Sequence, residues 1–324
     1  MKLRVVLILG LGFSLALYLG WTIGFGSIIS VALAVGWSGF AVLCWYAVGL
    51  FFVLGAACGV LLPSPTFKGI LIFVWARMVR DSATELLPFS SVGGLVFGAR
   101  AAIAHGIPSS LVFASTIVDV TTELLAQVGY IALGIGIFAA RIAHTSITAS
   151  LTKVLVIEFI LASIAAGAII AAQRYRQKIA VAITERFFPS AGLTAAGVTA
   201  ALDAIYQSRA RVAVSLALHF FGWIASAVGV WIAFRLMGLR VELDAVIGIE
   251  SLVCAARSAA FFVPNALGVQ EGAYALLAPL LAVGSEVGFG VSLLKRARDI
   301  AIGVPILLIW QVAESRRALR RAPG

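Results

Sequence analysis

Acidic and basic side chains recur at helical spacing inside stretches of this sequence that are otherwise apolar. Asp119, Glu123 and Gln127 stand at i, i+4 and i+8 in the string VDVTTELLAQ, which places all three on one helical face. Arg77, Asp81 and Glu85 repeat the spacing, with Arg80 beside them. Farther along, Glu250 and Arg257 lie two turns apart, Gln270 and Glu271 follow a Pro–Gly interruption, and Arg296 and Asp299 are three residues apart. In an apolar medium each such group costs roughly 2.5–3.5 kcal/mol, so it is paired or it handles something polar. Carboxylates such as Asp119 and Glu123 carry protons; arginines match phosphate or carboxylate oxygens.

Two interrupted segments must hold most of these groups. Residues 68–108 are broken by Arg77, Arg80, Asp81, Glu85, Pro88, Gly93 and Gly94; residues 245–284 by Glu250, Arg257, Pro264, Gly268, Gln270, Glu271 and Gly272. Proline removes an amide hydrogen and glycine allows dihedrals closed to other residues, so both segments read as broken helices. They echo each other weakly, each proline following an arginine by seven or eight residues. A half-helix starting after such a break aims amide donors at an anion. The plainer reading is that acids and bases pair internally and tie the segments to their neighbours, with the breaks as simple kinks. His105 and His219 read as loop or packing residues, His144 as a loop residue, and Glu158 as a lone acid.

The surrounding elements follow from composition. The 324 residues are 62% hydrophobic and 12% charged, with a mean hydropathy of +1.08. A soluble protein this apolar could not cover its own surface. Apolar runs of about 20 residues, the length that crosses a bilayer, recur throughout. We therefore expect an all-α polytopic membrane protein forming a single domain over 1–324. Full spans are expected near 3–21, 38–62, 109–139, 153–172, 212–236 and 287–312, with the two broken segments as opposed re-entrant hairpins. Residues 36–140 and 211–314 would be the units of an inverted repeat, the layout of transporters whose broken helices form the site near the midplane. The N-terminus, with Lys2 and Arg4 before an apolar run and Ala32-Leu33-Ala34 as a small-x-small match, resembles a signal peptide; its length favours an uncleaved first span.

The net charge of +10 sits mainly in short segments between apolar runs. Membrane topology explains it, and nucleic acid is not an expected partner. Lys2, Arg4, Lys68, the connector 173–210 and the tail then lie in the cytoplasm, with Arg141, Arg235 and Arg240 a minority outside. Cys44, Cys58 and Cys254 form no CxxC or His-paired spacing and read as small buried hydrophobes. No Walker-type, HExxH or GxSxG motif is present, so we expect neither an enzyme nor a cofactor.

The strings LLPFSSVGGLVFGAR, IVDVTTELLAQ and FFVPNALGVQEGAYALL resemble the transmembrane-domain family of lysylphosphatidylglycerol synthases, and within it the HpnL-like membrane proteins associated with hopanoid biosynthesis. The resemblance covers nearly the whole chain, and Pro264 to Gly272 is its most specific part. It implies a bacterial inner-membrane protein that moves lipids between leaflets. Because the sequence stops at Gly324, after the last span, synthase activity is not expected to carry over. The positions implied for the lipid path are Arg80, Glu85, Pro88, Gly93, Gly94, Asp119, Glu123, Arg257, Pro264, Gly268, Gln270, Glu271, Arg296 and Asp299. Partners implied are membrane lipids, a second copy of the chain and lipid-biosynthesis enzymes. Two rivals stand beside this reading: a non-transporting scaffold for such enzymes, and an intramembrane enzyme using Asp119 and Glu123 as acid and base.

Overall fold

The computed structural model describes residues 33–87, 90–142, 194–260 and 263–321, with isolated positions between 14 and 30 and between 160 and 171. Among these residues there are nine α-helices and no strand. They are α1 (Gly36–Gly59), α2 (Phe67–Leu86), α3 (Ser90–Ile103), α4 (Ser109–Ile142), α5 (Ala195–Tyr206), α6 (Arg209–Leu236), α7 (Leu243–Ala259), α8 (Val269–Leu277) and α9 (Ser285–Arg321).

By length and composition, α1, α4 over Ser109–Phe138, and α6 are each able to cross a bilayer. The first of these is apolar all round and leaves Val42, Trp45 and Phe52 exposed, as a helix surrounded by acyl chains does. At 37 residues α9 is longer, but Lys295, Arg296, Arg298 and Asp299 interrupt its apolar run. The spans expected near 3–21 and 153–172, and the connector from 173 to 193, fall almost wholly outside the described residues, as do His144, Glu158 and Pro88.

The chain divides into two compact units, each discontinuous in sequence. The first comprises residues 48–123, 169–219 and 299–324. Its centre is the α2–α3 hairpin. Thr66 opens α2 by accepting a hydrogen bond from the Gly69 amide at 3.1 Å, and Leu87, extended at φ −101° and ψ 137°, ends it. A residue preceding proline is driven out of the helical region, so Pro88 sets that end. On α3, Gly94 and Gly98 face α2. A Cβ on Gly98 would come within 2.9 Å of Arg80 Cβ and 3.0 Å of Ala76 O, so these glycines let the two backbones approach closely. This corrects one expectation: Gly93 and Gly94 lie inside α3 and take no unusual dihedrals.

Within 173–210, the described part is not merely polar linker. It forms α5, whose Val198, Leu202 and Ile205 are buried against a core containing Leu61, Val79 and Val118. The spacing of those three is that of one helical stripe. Arg211 Nη1 donates to the carbonyl of Leu62 at 2.7 Å and to that of Pro63, fixing the turn after α1.

The second unit comprises residues 1–47, 124–168 and 220–298. Its core joins Phe138, Val230, Phe234, Val246, Ile249, Tyr274 and Val291. Between α7 and α8 the helix is interrupted as expected. Pro264–Ala266 make one 3₁₀ turn, Asn265 has φ 53°, and Gly268 has φ 80° just before α8 begins. Only the last of these is a glycine, the residue for which positive φ carries no steric penalty.

Candidate functional site

In the first unit the charges of α2 and α4 meet. Arg77 Nε donates to Asp81 Oδ2 at 2.6 Å and its Nη2 to Glu123 Oε1 at 2.7 Å. Arg80 Nη1 donates to Asp119 Oδ2 at 3.0 Å and its Nη2 to Glu123 Oε2 at 2.6 Å. The i,i+4 spacing of Asp119 and Glu123 is what lets one arginine reach both. From α6 comes a further member, His219, whose Nε2 lies 2.9 Å from Asp119 Oδ1. The His219 side chain is 0% exposed and that of Asp119 2%. One turn away, Thr122 Oγ1 and Ser215 Oγ are 3.0 Å apart.

Beside this network is a small recess of about 30 Å³, walled by Phe73, Leu95, Ala99 and Val112 and reached by Arg77, Arg80 and Asp119. Arg77 Nη1 is buried without a hydrogen-bond acceptor and lies 3.9 Å from Asp119 Oδ2. Its apolar walls end at arginines, whose guanidinium groups match phosphate or carboxylate oxygens.

In the second unit two further sets of charges lie on α7, α8 and α9. Glu271 is 2% exposed and paired with Arg296; a second Arg296 nitrogen, Nη2, donates to Glu271 Oε2 at 3.2 Å and to the Asn265 carbonyl at 3.3 Å. The Gly268 amide donates to Glu271 Oε2 at 2.8 Å, and Ser292 Oγ donates to Glu271 Oε1 at 3.3 Å. Gln270 Nε2 donates to Ser292 Oγ at 2.9 Å. The helix start after the break therefore binds its own carboxylate, and α8 is tied to α9. The second set is Glu250, Tyr274 and Lys295. Lys295 Nζ donates to Glu250 Oε2 at 2.9 Å and to the Tyr274 hydroxyl at 2.6 Å, while that hydroxyl donates to Glu250 Oε1. A smaller recess, about 10 Å³, is lined by Lys295, Arg298 and the apolar Leu43, Val230 and Leu294.

Of the residues singled out in the sequence, Arg80, Asp119 and Glu123 form one bonded cluster, and Gly94 packs under Arg80. Glu85, half-buried near the end of α2, and Asp299 on α9 belong to the same unit, while Gly93 faces open space. Pro264, Gly268, Gln270, Glu271 and Arg296 form the second group, and Arg257 occupies the last turn of α7 in that unit. Sequence inspection missed two participants, His219 and Tyr274. Arg77 and Lys295 were visible as intramembrane charges; His219 and Tyr274 carried no signal of their own. Among the described residues no group of three or more metal-binding side chains occurs.

Apolar helices of spanning length with charged groups buried among them define a helical membrane protein. Its sequence matches the family model described as the lysylphosphatidylglycerol synthase TM region over residues 5–306, and the chain belongs to that family. No curated protein and no solved structure matches it. Family and composition together make it a membrane protein of lipid metabolism or transport.

Proposed function

We propose that the chain is a lipid flippase-like transporter of the bacterial inner membrane, moving a hopanoid or an aminoacyl-phospholipid between leaflets, as the HpnL-like resemblance implies. In this reading it has six full spans and two opposed re-entrant hairpins in an inverted repeat over 36–140 and 211–314, with both termini and the 173–210 connector cytoplasmic. It acts without catalysis and without a cofactor; a second copy and lipid-biosynthesis enzymes are its proposed partners.

The observation that carries the proposal is the recess of the first unit, where apolar walls end at buried Arg77, Arg80 and Asp119. Stability alone does not call for such a cluster, since well-packed apolar side chains often replace buried ion pairs at no loss. The scaffold reading draws support from a different observation: Glu271 and Arg296 are bonded to each other and to the backbone around them, as a structural tie would be.

Vesicles reconstituted with the protein and a trace of fluorescent lysylphosphatidylglycerol, phosphatidylglycerol or an amino hopanoid test the proposal. Dithionite bleaches outer-leaflet probe, so inner-leaflet probe is lost only if it is moved. Wild-type protein should expose one of these probes, and Leu95→Trp, which fills the recess, should slow that exposure while the thermal unfolding temperature holds. Wild-type vesicles that move none of the three, or a filled recess with unchanged rates, would overturn it.

A further inference from the structure

One guanidinium nitrogen of the first unit is left over. Arg77 Nε and Nη2 donate to Asp81 and Glu123, but Nη1 is buried and has no acceptor, on a side chain only 8% exposed. A buried donor without an acceptor is unfavourable, the more so on a charged group. Arg77 also lines the recess, so the space that would satisfy Nη1 adjoins it, and an oxygen is the atom that does so.

The other side of the recess offers acceptors. Asp119 Oδ2 takes a hydrogen from Arg80 Nη1 at 3.0 Å, so it carries none of its own and keeps a further lone pair. Thr116 Oγ1 gives its hydrogen to the Val112 carbonyl at 2.8 Å, which leaves its lone pairs to accept. Both residues line the recess with Arg77. Arg77 Nη1 and Asp119 Oδ2 stand 3.9 Å apart, too far for a direct hydrogen bond, yet a single oxygen fits about 2.8 Å from each. Such an atom must accept on one side and donate on the other. Phosphodiester and carboxylate oxygens only accept, and an ammonium only donates; a hydroxyl does both. The size agrees, since about 30 Å³ holds about one or two water-sized atoms and not a phosphate group.

We propose that this recess is a binding site for one hydroxyl oxygen, which accepts from Arg77 Nη1 and donates to Asp119 Oδ2 or Thr116 Oγ1. Water and an alcohol group on a lipid headgroup share that chemistry. In the second case the recess separates headgroups that bear a hydroxyl from headgroups of the same charge that lack one. That case rests on the transport reading above, whereas the hydroxyl site itself stands apart from it.

Phosphatidylpropanol is the probe, because it has the charge and nearly the size of phosphatidylglycerol without its hydroxyls. Native mass spectrometry of the purified protein, given equal amounts of the two lipids, should show phosphatidylglycerol retained roughly fivefold over phosphatidylpropanol, the worth of one such hydrogen bond. Leu95→Trp, which fills the recess, should bring that ratio near one. Thr116→Val, which keeps the shape and removes one acceptor, should lower it while the thermal unfolding temperature holds. A high-resolution density map of the wild type in phosphatidylglycerol-containing lipid should show an oxygen within hydrogen-bond reach of both Arg77 Nη1 and Asp119 Oδ2. Density continuous with a lipid, together with the fivefold ratio, identifies the headgroup alcohol; isolated density with a ratio near one identifies water. A phosphate against Nη1, or an Nη1 bonded to another protein group, overturns the proposal. Neither measurement reads lipid movement. If no fluorescent probe moves in vesicles the transport reading fails and the site is still decided, and if probes move with no oxygen beside Nη1 the site fails and transport stands.

Discussion

Glu271→Gln separates a structural tie from a headgroup contact. The substitution keeps the shape of the side chain and one oxygen able to accept from the Gly268 amide, now at 2.8 Å. What it removes is the charge that Arg296 faces. The two side chains are 2% and 16% exposed, and breaking such a buried pair by neutralising one partner costs about 3–5 kcal/mol. Arg296 retains the Asn265 carbonyl at 3.3 Å and is not fully enclosed, so the lower end, about 3 kcal/mol, is expected. Unfolding titrations in mixed micelles of dodecylmaltoside and dodecyl sulfate measure it. Arg296→Met should cost a similar amount, and the double variant should recover at least about 1.5 kcal/mol of the sum, because each single change strands the other group. A single variant within about 0.5 kcal/mol of wild type, the range of an inconsequential surface change, would refute the tie. Lost lipid movement in such a stable variant would instead make Glu271 a substrate contact.

Two further outcomes follow from the same structure. Gly55 abuts α2 so closely that a Cβ would lie 2.8 Å from the Val74 amide nitrogen; Gly55→Ala should lower stability by about 1–3 kcal/mol in the same titration. Gly49, one and a half turns earlier with nothing near its absent Cβ, is the control, and Gly49→Ala should be neutral or slightly stabilising. For topology, cysteines at Ser190 and Ser315 in a background lacking Cys44, Cys58 and Cys254 should resist impermeant maleimide in intact cells; labelling from outside would reverse the proposed orientation.

Helix existence was legible because hydropathy and length decide it: α1, α4 and α6 sit within about three residues of the runs read from sequence. The Pro264–Gly268 break was legible for an equally local reason, since proline and glycine alter the backbone where they stand. Spacing alone also placed Asp119 and Glu123 on one face. Which charge meets which was not legible, because partners far apart in sequence leave no local trace. His219 reaches Asp119 across 100 positions. Tyr274 stands in an apolar string, GAYALL, and only packing sets its hydroxyl between Glu250 and Lys295. Gly93 and Gly94 were misread because glycine serves two ends, bending a backbone or letting one pass close to another, and sequence does not say which.

The same residue types are bonded differently in the two units. Glu271 with Arg296, and Glu250 with Lys295, are matched one acid to one base. A fixed connection accounts for those pairs, which tie α7 and α8 to α9. Around Asp119, among the described residues, two arginines share three carboxylates, His219 Nδ1 has no hydrogen-bond partner, and a small recess adjoins the cluster. The scaffold reading explains the bonded pairs of the second unit; the transport reading explains why arginines of the first stand at a recess.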